Sequence, residues 1–299
     1  MIMNLNIIEA ANSTLKFVLS TFPVILVASF ATSQLIERGL MEKFGERIKP
    51  FLKRLNLGEV TVSSVAVCFV SATAAYSILS QALKEKVIDE REVIAASFIN
   101  SFPAMLMHFY RFFIPFVIPV LGWVGFIYAA LRLTVAIAKS LIGLAIARMW
   151  NVGEESEAKQ DIKVKPFSTL EIVKSTLPIM IVTYFFVQLI LQSGISSFNL
   201  SFLPLNPAVL SVATIQLINQ KASIVMCKSL LESGALSFKW AIAALMLGNI
   251  VTFSTSYIKH SLPLHVSLFG KLGVKIVVLN GIASLILDAI LIVGVILFL

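Results

Sequence analysis

The chain has 299 residues, of which 58% are hydrophobic and 13% are charged, whereas charged residues make up about a quarter of a typical soluble domain. A mean hydropathy of +0.92 excludes an ordinary soluble domain, because most side chains must face lipid or one another. The net charge is +8, which we interpret as a consequence of membrane topology, so no nucleic acid partner is expected. The expected partners are the lipid bilayer and a small polar solute; a homo-oligomer is left open.

Two parts of the chain repeat each other. Residues 13–27 match residues 168–182 with 8 identities in 15 positions. A second match lies at an offset of 148 and pairs Ile94-Ala95-Ala96 with Ile242-Ala243-Ala244, Pro115 with Pro263, Gly122 with Gly270 and Gly125 with Gly273. In so apolar a chain, a tandem repeat predicts two related helical bundles that enclose a site at their interface.

Hydropathy and charge gaps predict about ten transmembrane segments, five in each repeat. In the first repeat (1–150) they cover 15–37, 60–83, 92–108, 111–122 and 123–148; in the second (168–299) they cover 169–194, 207–231, 240–257, 260–271 and 274–299. Segments three and four of each repeat are short, so they either cross fully or form a re-entrant hairpin. The predicted fold is an all-α integral membrane protein with two inverted five-helix repeats and broken or re-entrant helices.

Charge placement predicts the orientation. The stretch after the first span carries six basic residues, Arg38, Lys43, Arg47, Lys49, Lys53 and Arg54, whereas the equivalent stretch over 195–206 carries none. Equivalent loops of such different charge belong on opposite sides of the membrane, which makes the repeats inverted. We expect a multi-pass protein of the cell membrane with both termini outside and a charged cytoplasmic linker over 151–167.

Residues 42–55 are predicted to form an interfacial helix. Phe44, Ile48, Phe51, Leu52 and Leu55 fall on one side of it and the charged residues on the other, which is typical of a helix in the membrane–water interface. The helix is either a connector or a docking site for lipid or a partner protein.

The sequence contains no motif for hydrolysis or group transfer, no glycine-rich phosphate loop and no pair of histidines at metal-ligand spacing. We therefore expect neither an enzyme, nor a metal site, nor a cofactor, although Na⁺ or H⁺ coupling remains open. His108 is a coupling candidate because histidine titrates near neutral pH.

Segment seven carries the densest polar pattern. Gln216, Asn219, Gln220 and Ser223 are spaced at i, i+3, i+4 and i+7, next to Lys221. Polar groups at membrane depth usually face a bundle interior or a cavity. We predict that Gln216, Asn219, Gln220 and Lys221 bind solute; hydrogen bonds between helices are the alternative.

Segments three and eight add a second polar group. Asn100 and Ser101 precede Pro103; in the second repeat they align with Gly248 and Asn249, and segment eight continues with Thr252. Because proline frees a carbonyl in mid-helix, an unwound turn near Asn100 or a plain kink is predicted. We include Asn100, Ser101, Asn249 and Thr252 among the solute-binding candidates.

Charged residues also occur in the fifth span of each repeat. Arg132 and Lys139 lie in the first and Asp288 in the second. Pairing of Asp288 with Lys221 or Lys139 would lower its cost of desolvation; cation or proton coupling is the alternative. Asp288 and Arg132 join His108 as coupling candidates.

The stretch from Ile94 to Ile146 resembles the nucleoside-recognition (Gate) domain of prokaryotic membrane proteins. The resemblance is carried by Ala95-Ala96, Asn100, Pro103, Ile114-Pro115, Pro119, Leu121-Gly122 and Gly125, and residues 242–299 look like a second, more diverged copy. That family includes permease segments of ferrous-iron transporters, spore-maturation membrane proteins and relatives of concentrative nucleoside transporters. The resemblance implies an inverted-repeat transporter fold and leaves the solute unidentified.

These observations predict a transporter or permease that moves a small polar solute, either nucleoside-like or an ion, by alternating access. A membrane assembly or docking protein that uses the basic helix is the alternative.

Overall fold

The computed structural model describes residues 6–55, 57–152, 169–192, 206–256 and 261–299. These residues form helices and short turns, and none of them lies in a β-strand. The protein is therefore all-helical over its described part. Most of the predicted linker (153–167) and nearly all of the second-repeat stretch used to predict inversion (195–205) lie outside the described residues.

The described part of the first half contains eight α-helices and one π-helical stretch. They are α1 (Ile7–Glu37), α2 (Leu40–Lys53), α3 (Glu59–Cys68), α4 (Ala72–Lys84), α5 (Glu90–Ile99), α6 (Ser101–His108), π1 (Phe109–Val117), α7 (Ile118–Leu121) and α8 (Trp123–Met149). The described part of the second half contains α9 (Thr169–Gln192), α10 (Pro207–Ile218), α11 (Gln220–Glu232), α12 (Phe238–Ser256), α13 (Leu262–Phe269) and α14 (Lys271–Phe298).

Four stretches in the described residues are long and apolar enough to cross a bilayer: Ile7–Val27, Glu90–Leu121, Trp123–Met149 and Lys271–Phe298. Shorter apolar helices accompany them. The protein is thus a membrane protein with several candidate spanning helices.

Segments three and four of the first repeat are one helical run, from Glu90 to Leu121. Asn100 is the single turn residue between α5 and α6, so the predicted break there is a kink. Pro115 lies inside π1, where a local change of helical register accommodates the missing backbone donor. Both predicted alternatives for these two segments, two full crossings or a re-entrant hairpin over 92–122, are therefore wrong for this repeat.

Segment two, expected as one continuous span, is instead two helices that fold back on each other. Ser71 has an extended backbone (φ −151°, ψ 109°) and caps α4 by accepting from the Ala74 N–H. Ser64 Oγ in α3 donates to the Ala75 carbonyl in α4 at 3.3 Å. In an unbroken helix these residues would lie about 16 Å apart, so α3 and α4 form a helical hairpin.

Segment seven is broken at the equivalent position. Asn219, 148 residues after Ser71, has nearly the same conformation (φ −155°, ψ 117°) and caps α11. Serine and asparagine are both favoured N-cap residues, which explains why the break survives a change of side chain.

The last helix of the first repeat and the last helix of the second repeat also begin in the same way. Gly122 precedes α8 with φ 58°, ψ −128°, and Gly270 precedes α14 with φ 59°, ψ −129°. Such dihedral angles strongly favour glycine. A Cβ on Gly125 or Gly273 would collide with the backbone of the preceding helix, so each glycine pair sets a tight helix-to-helix turn.

Helix α2 covers most of the stretch predicted as an interfacial basic helix, and it begins and ends two residues earlier. Gly45 packs on α3, where a Cβ would meet the Ala66 carbonyl, and Leu52 is buried. Phe51 is 60% exposed, so the predicted apolar side is divided between the protein and its surroundings.

Candidate functional site

A polar cavity of about 270 Å³ lies where the two halves of the chain meet. The first half contributes side chains from α4, the α5–α6 junction and α8, and the second half from α13 and α14. Its polar lining consists of Tyr76, Asn100, Ser101, His108, Arg132, Lys139, Ser261, His265, Asn280 and Ser284. The volume is slightly below the roughly 300–1,000 Å³ typical of pockets for drug-sized ligands, so the cavity suits a small solute.

Four of the predicted site residues meet at this cavity. Asn100, Ser101, His108 and Arg132 line it together, although the sequence placed them in two separate groups. His108 stacks on Phe112 with ring centres 5.0 Å apart.

Arg132 and Asp288 form an ion pair between α8 and α14. Arg132 Nη1 donates to both carboxylate oxygens of Asp288, at 2.7 and 3.0 Å, and Asp288 is 3% exposed. The expected partner of Asp288 was Lys221 or Lys139, so that expectation is corrected. The pair neutralises a carboxylate that would otherwise be costly to bury.

Lys139 lies two helical turns from Arg132 on α8 and is buried. Its ammonium donates to Ser284 Oγ at 3.1 Å and stands 6.0 Å from the centre of the Phe98 ring. None of the cavity-lining residues that the structure describes is a carboxylate. The walls therefore offer cationic and polar groups.

Asn100 is fully buried and is held by the α3–α4 hairpin. Its Nδ2 donates to Ser64 Oγ at 2.8 Å, and its carbonyl accepts from Cys68 Sγ at 3.5 Å. Asn100 Oδ1 has no hydrogen-bond partner, and the residue lines the cavity. A buried acceptor without a partner costs roughly 1–3 kcal/mol, so it marks a place where a ligand donor would be stabilised.

Helices α13 and α14 complete the walls. Asn280 Nδ2 donates to Ser97 Oγ at 2.9 Å and thereby joins α14 to α5. His265 Nδ1 lies 2.7 Å from the Ser261 carbonyl; because a carbonyl only accepts, Nδ1 carries the proton. The Tyr76 ring packs edge-on against His265 at 4.4 Å, which brings the α3–α4 hairpin against α13.

Gln216 and Asn249 lie in a different place, in a closed hydrogen-bonded cluster between α8, α10, α11 and α12. Asn249 Oδ1 accepts from Gln216 Nε2 and from the Tyr128 hydroxyl, both at 2.9 Å. Gln216 Oε1 accepts from Ser223 Oγ at 3.3 Å. This closed cluster (Tyr128, Gln216, Ser223 and Asn249) has the geometry of the alternative interpretation, hydrogen bonds between helices.

The other predicted residues of segment seven lie near the α10–α11 break. The single helical face predicted for them is wrong because the helix ends at Ile218. Asn219 Oδ1 accepts from the backbone N–H groups of Lys221 and Ala222, and Lys221 Nζ stands 5.9 Å from the Phe116 ring centre. Gln220 is half-buried at the start of α11, and Thr252 donates to the Gly248 carbonyl within α12. None of these residues lines the cavity.

Six polar residues of the cavity were not among the predicted site residues: Tyr76, Lys139, Ser261, His265, Asn280 and Ser284. A sequence signal exists for three of them: Asn280 and Ser284 lie four residues apart, with Asp288 four residues further on, and Lys139 follows Arg132 by seven residues. Such spacing gives one polar face on each helix. Among the described residues, no group of three or more histidine, cysteine or acidic side chains is arranged to hold a metal ion.

Comparison with known proteins gives one family and several relatives. Residues 18–124 match the family described as nucleoside recognition, Gate; the match begins earlier than the resemblance over 94–146 and overlaps it at 94–124. Uncharacterized protein MJ0871 of Methanocaldococcus jannaschii is 39% identical, over 92% of this chain and 92% of its own. From the same organism, uncharacterized protein MJ0880 is 28% identical over 90% of this chain and 95% of its own. Uncharacterized protein MJ1556, also from that organism, is 24% identical over 96% of this chain and 97% of its own. No solved structure matches the chain significantly.

Proposed function

This chain belongs to the nucleoside recognition (Gate) family, and on that premise we propose that it is a transporter or permease that moves a small polar solute across the cell membrane by alternating access. The observation that carries the proposal is the polar cavity between the two halves of the chain. Transporters built from internal repeats bind their solute at the repeat interface, where interrupted helices meet. Here the cavity lies beside the α5–α6 kink and the α3–α4 hairpin.

The proposal includes an inverted relation between the repeats. Helices α8 and α14 are equivalent, and the pairs Arg132–Asp288 and Lys139–Ser284 join them. Residue numbers rise along α8 as they fall along α14, so the two helices run antiparallel. Equivalent helices run antiparallel when the repeats are related by an axis in the membrane plane, and parallel when the axis is along the membrane normal.

We refine the expected ten spans to six crossings and two re-entrant hairpins. If α3–α4 and α10–α11 enter and leave on the same side, each repeat crosses three times, which preserves the inversion and leaves both termini outside. Lys84, Lys86 and Arg91 then join the basic helix α2 on the cytoplasmic side, while Lys228 and Lys239 move outside. The cytoplasmic side therefore gains three of these basic residues and loses two, which agrees with the tendency of basic residues to remain on that side.

Thiol accessibility tests whether the cavity belongs to a permeation pathway. Cys68 and Cys227 are buried and would be replaced by alanine. Ala136 lines the cavity, whereas Ala129, two turns earlier on the same helix, is fully buried in the core. We expect a membrane-impermeant thiol reagent to label Ala136→Cys from at least one face of oriented vesicles, and Ala129→Cys from neither.

A cavity that small aqueous reagents cannot reach from either face would contradict the transporter proposal. That result would favour a membrane assembly or docking protein that uses α2, whose Phe44 and Phe51 are exposed.

A second accessibility experiment tests the topology. Glu85 and Ser233 are exposed and occupy equivalent positions at the ends of the two hairpins. In the proposed topology, Glu85→Cys is labelled from the same face as Arg47→Cys, and Ser233→Cys from the opposite face. Labelling of both hairpin ends from one face would rule out inverted repeats, and labelling of Glu85→Cys opposite to Arg47→Cys would mean that α3–α4 crosses the membrane.

A further inference from the structure

We propose that the solute of this cavity is a small organic anion, bearing a carboxylate or phosphate group, that also carries a hydroxyl or amino hydrogen-bond donor. This inference rests on the proposed function and deepens it by naming a class of solute. It is drawn from the charges and the hydrogen-bonding capacity of the cavity walls.

The charge balance of the walls gives the anionic part. Arg132 is paired with Asp288 through two short hydrogen bonds, so this pair adds no net charge. Lys139 adds a buried positive charge, and its ammonium donates to the neutral hydroxyl of Ser284. With no carboxylate among the described lining residues, the cavity carries a net positive charge while Lys139 is protonated and in that state complements an anion.

The second part of the inference comes from Asn100, which lies at the level of Lys139. Ser140, next to Lys139 in sequence, donates to the Ile99 carbonyl at 2.7 Å and accepts from the Phe102 N–H at 3.0 Å. These two bonds fix α8 against the α5–α6 junction on both sides of Asn100. A solute that places its anionic group near Lys139 can therefore offer a donor to the unpartnered Asn100 Oδ1.

The test compares two thiol reagents at one cysteine. Ala136 lies one turn from both Arg132 and Lys139, so Ala136→Cys, in the protein without native cysteines, reports the potential beside them. The probes are an anionic sulfonatoethyl and a cationic trimethylammonioethyl methanethiosulfonate. Their rate ratio at the introduced thiol is divided by their ratio at a free thiol in solution, which cancels any change in thiolate reactivity.

We expect the normalised ratio to favour the anionic reagent by roughly tenfold or more, since charged clefts raise counter-ion concentration and association rates by about 10–10³. Lys139→Gln should bring the ratio close to one, whereas Lys139→Arg, which retains the charge, should keep it. The Arg variant provides a readout if the Gln variant fails to fold. A ratio near one in the parent protein, or an unchanged ratio in a folded Lys139→Gln variant, would overturn the inference.

Protection of the Ala136→Cys thiol by added solutes then distinguishes a phosphate ligand, a carboxylate ligand and a nucleoside. The probes are inorganic phosphate, lactate and uridine, each against potassium chloride of matched ionic strength. Protection by phosphate or by lactate supports the inference and assigns the anionic group; protection by uridine alone overturns it. If neither reagent reaches the introduced thiol, the proposed function itself fails, whereas labelling without charge preference removes only the anionic solute.

Discussion

The two polar clusters of this protein, the cavity lining and the closed cluster of Tyr128, Gln216, Ser223 and Asn249, differ in how their hydrogen bonds are used. In the closed cluster, Asn249 Oδ1 and both amide atoms of Gln216 have partners within the protein. At the cavity, Asn100 Oδ1 has none, and Lys139 contributes a charge that its hydroxyl partner does not neutralise. Polar density along a helix therefore indicates the interior of the bundle, whereas unused bonding capacity distinguishes the cavity that we propose as the binding site.

The largest loss of stability is expected when the Arg132–Asp288 ion pair beside the cavity is broken. Arg132→Gln leaves the carboxylate of Asp288, which is 3% exposed, without its cation. Removal of one partner of a buried pair costs about 3–5 kcal/mol. Thermal unfolding of the purified protein in detergent would measure the loss.

The matched control for this prediction is Arg132→Gln combined with Asp288→Asn, which removes both charges and should recover most of the stability. Full stability of the single variant would mean that Asp288 is not ionised beside Arg132, and the charge balance drawn for the cavity would change accordingly.

The second-largest loss of stability is expected at the closed cluster, and it tests whether the hydrogen bonds there are made as described. A Cβ on Gly248 would collide with the side-chain amide of Gln216, so Gly248→Ala must displace Gln216 from Asn249. We expect a loss of about 1–3 kcal/mol, as for overpacking of a core. Gly294→Ala is the control, because a Cβ at that position meets nothing within 4 Å.

A double variant sharpens this result. Gln216→Ala makes room for the added methyl group, so Gly248→Ala should cost less in that background than alone. Strictly additive losses would show that the two residues do not contact each other as described.

Replacement of Gln216 itself should have a smaller effect. Gln216→Leu removes the donor to Asn249 and the acceptor of Ser223, and each lost hydrogen bond contributes about 1 kcal/mol. Labelling of Ala136→Cys should remain unchanged, because Gln216 does not line the cavity. Loss of labelling in a folded Gln216→Leu variant would assign the closed cluster to the pathway after all.

Much of the fold follows from local chemistry that the sequence displays. Hydropathy predicts α8 to within one residue, and the Gly122 and Gly270 turns recur because their backbone angles strongly favour glycine. The breaks at Ser71 and Asn219 were missed because neither residue is a proline or glycine, and an N-cap within an apolar stretch resembles an ordinary polar residue of a span. The run through Pro115 was missed because π-helical turns leave no simple pattern.

The candidate site was only partly predictable for a different reason. Asn100, Ser101, His108 and Arg132 were identified as costly polar residues in spans, which requires no knowledge of packing. Their assembly with Asn280 and Ser284 depends on the antiparallel contact between α8 and α14, 145 residues or more apart in the chain. Likewise, the sequence does not show that the side-chain amides of Gln216 and Asn249 form a hydrogen bond with each other.

The smallest loss of stability is expected at Asn100, and it isolates the property that separates the two clusters. Asn100→Leu retains the shape of the side chain and removes the bond to Ser64, yet Ser64 still donates to the Ala75 carbonyl, and the removed Oδ1 had no partner to lose. Stability should therefore change by less than about 1 kcal/mol, below the loss for Gln216→Leu. Protection of the Ala136→Cys thiol by phosphate or lactate should nevertheless weaken, because the acceptor for the solute is gone. If Asn100→Leu proved the more damaging of the two leucine variants, Asn100 would be a packing residue like Gln216, and unused bonding capacity would no longer distinguish the cavity from the closed cluster.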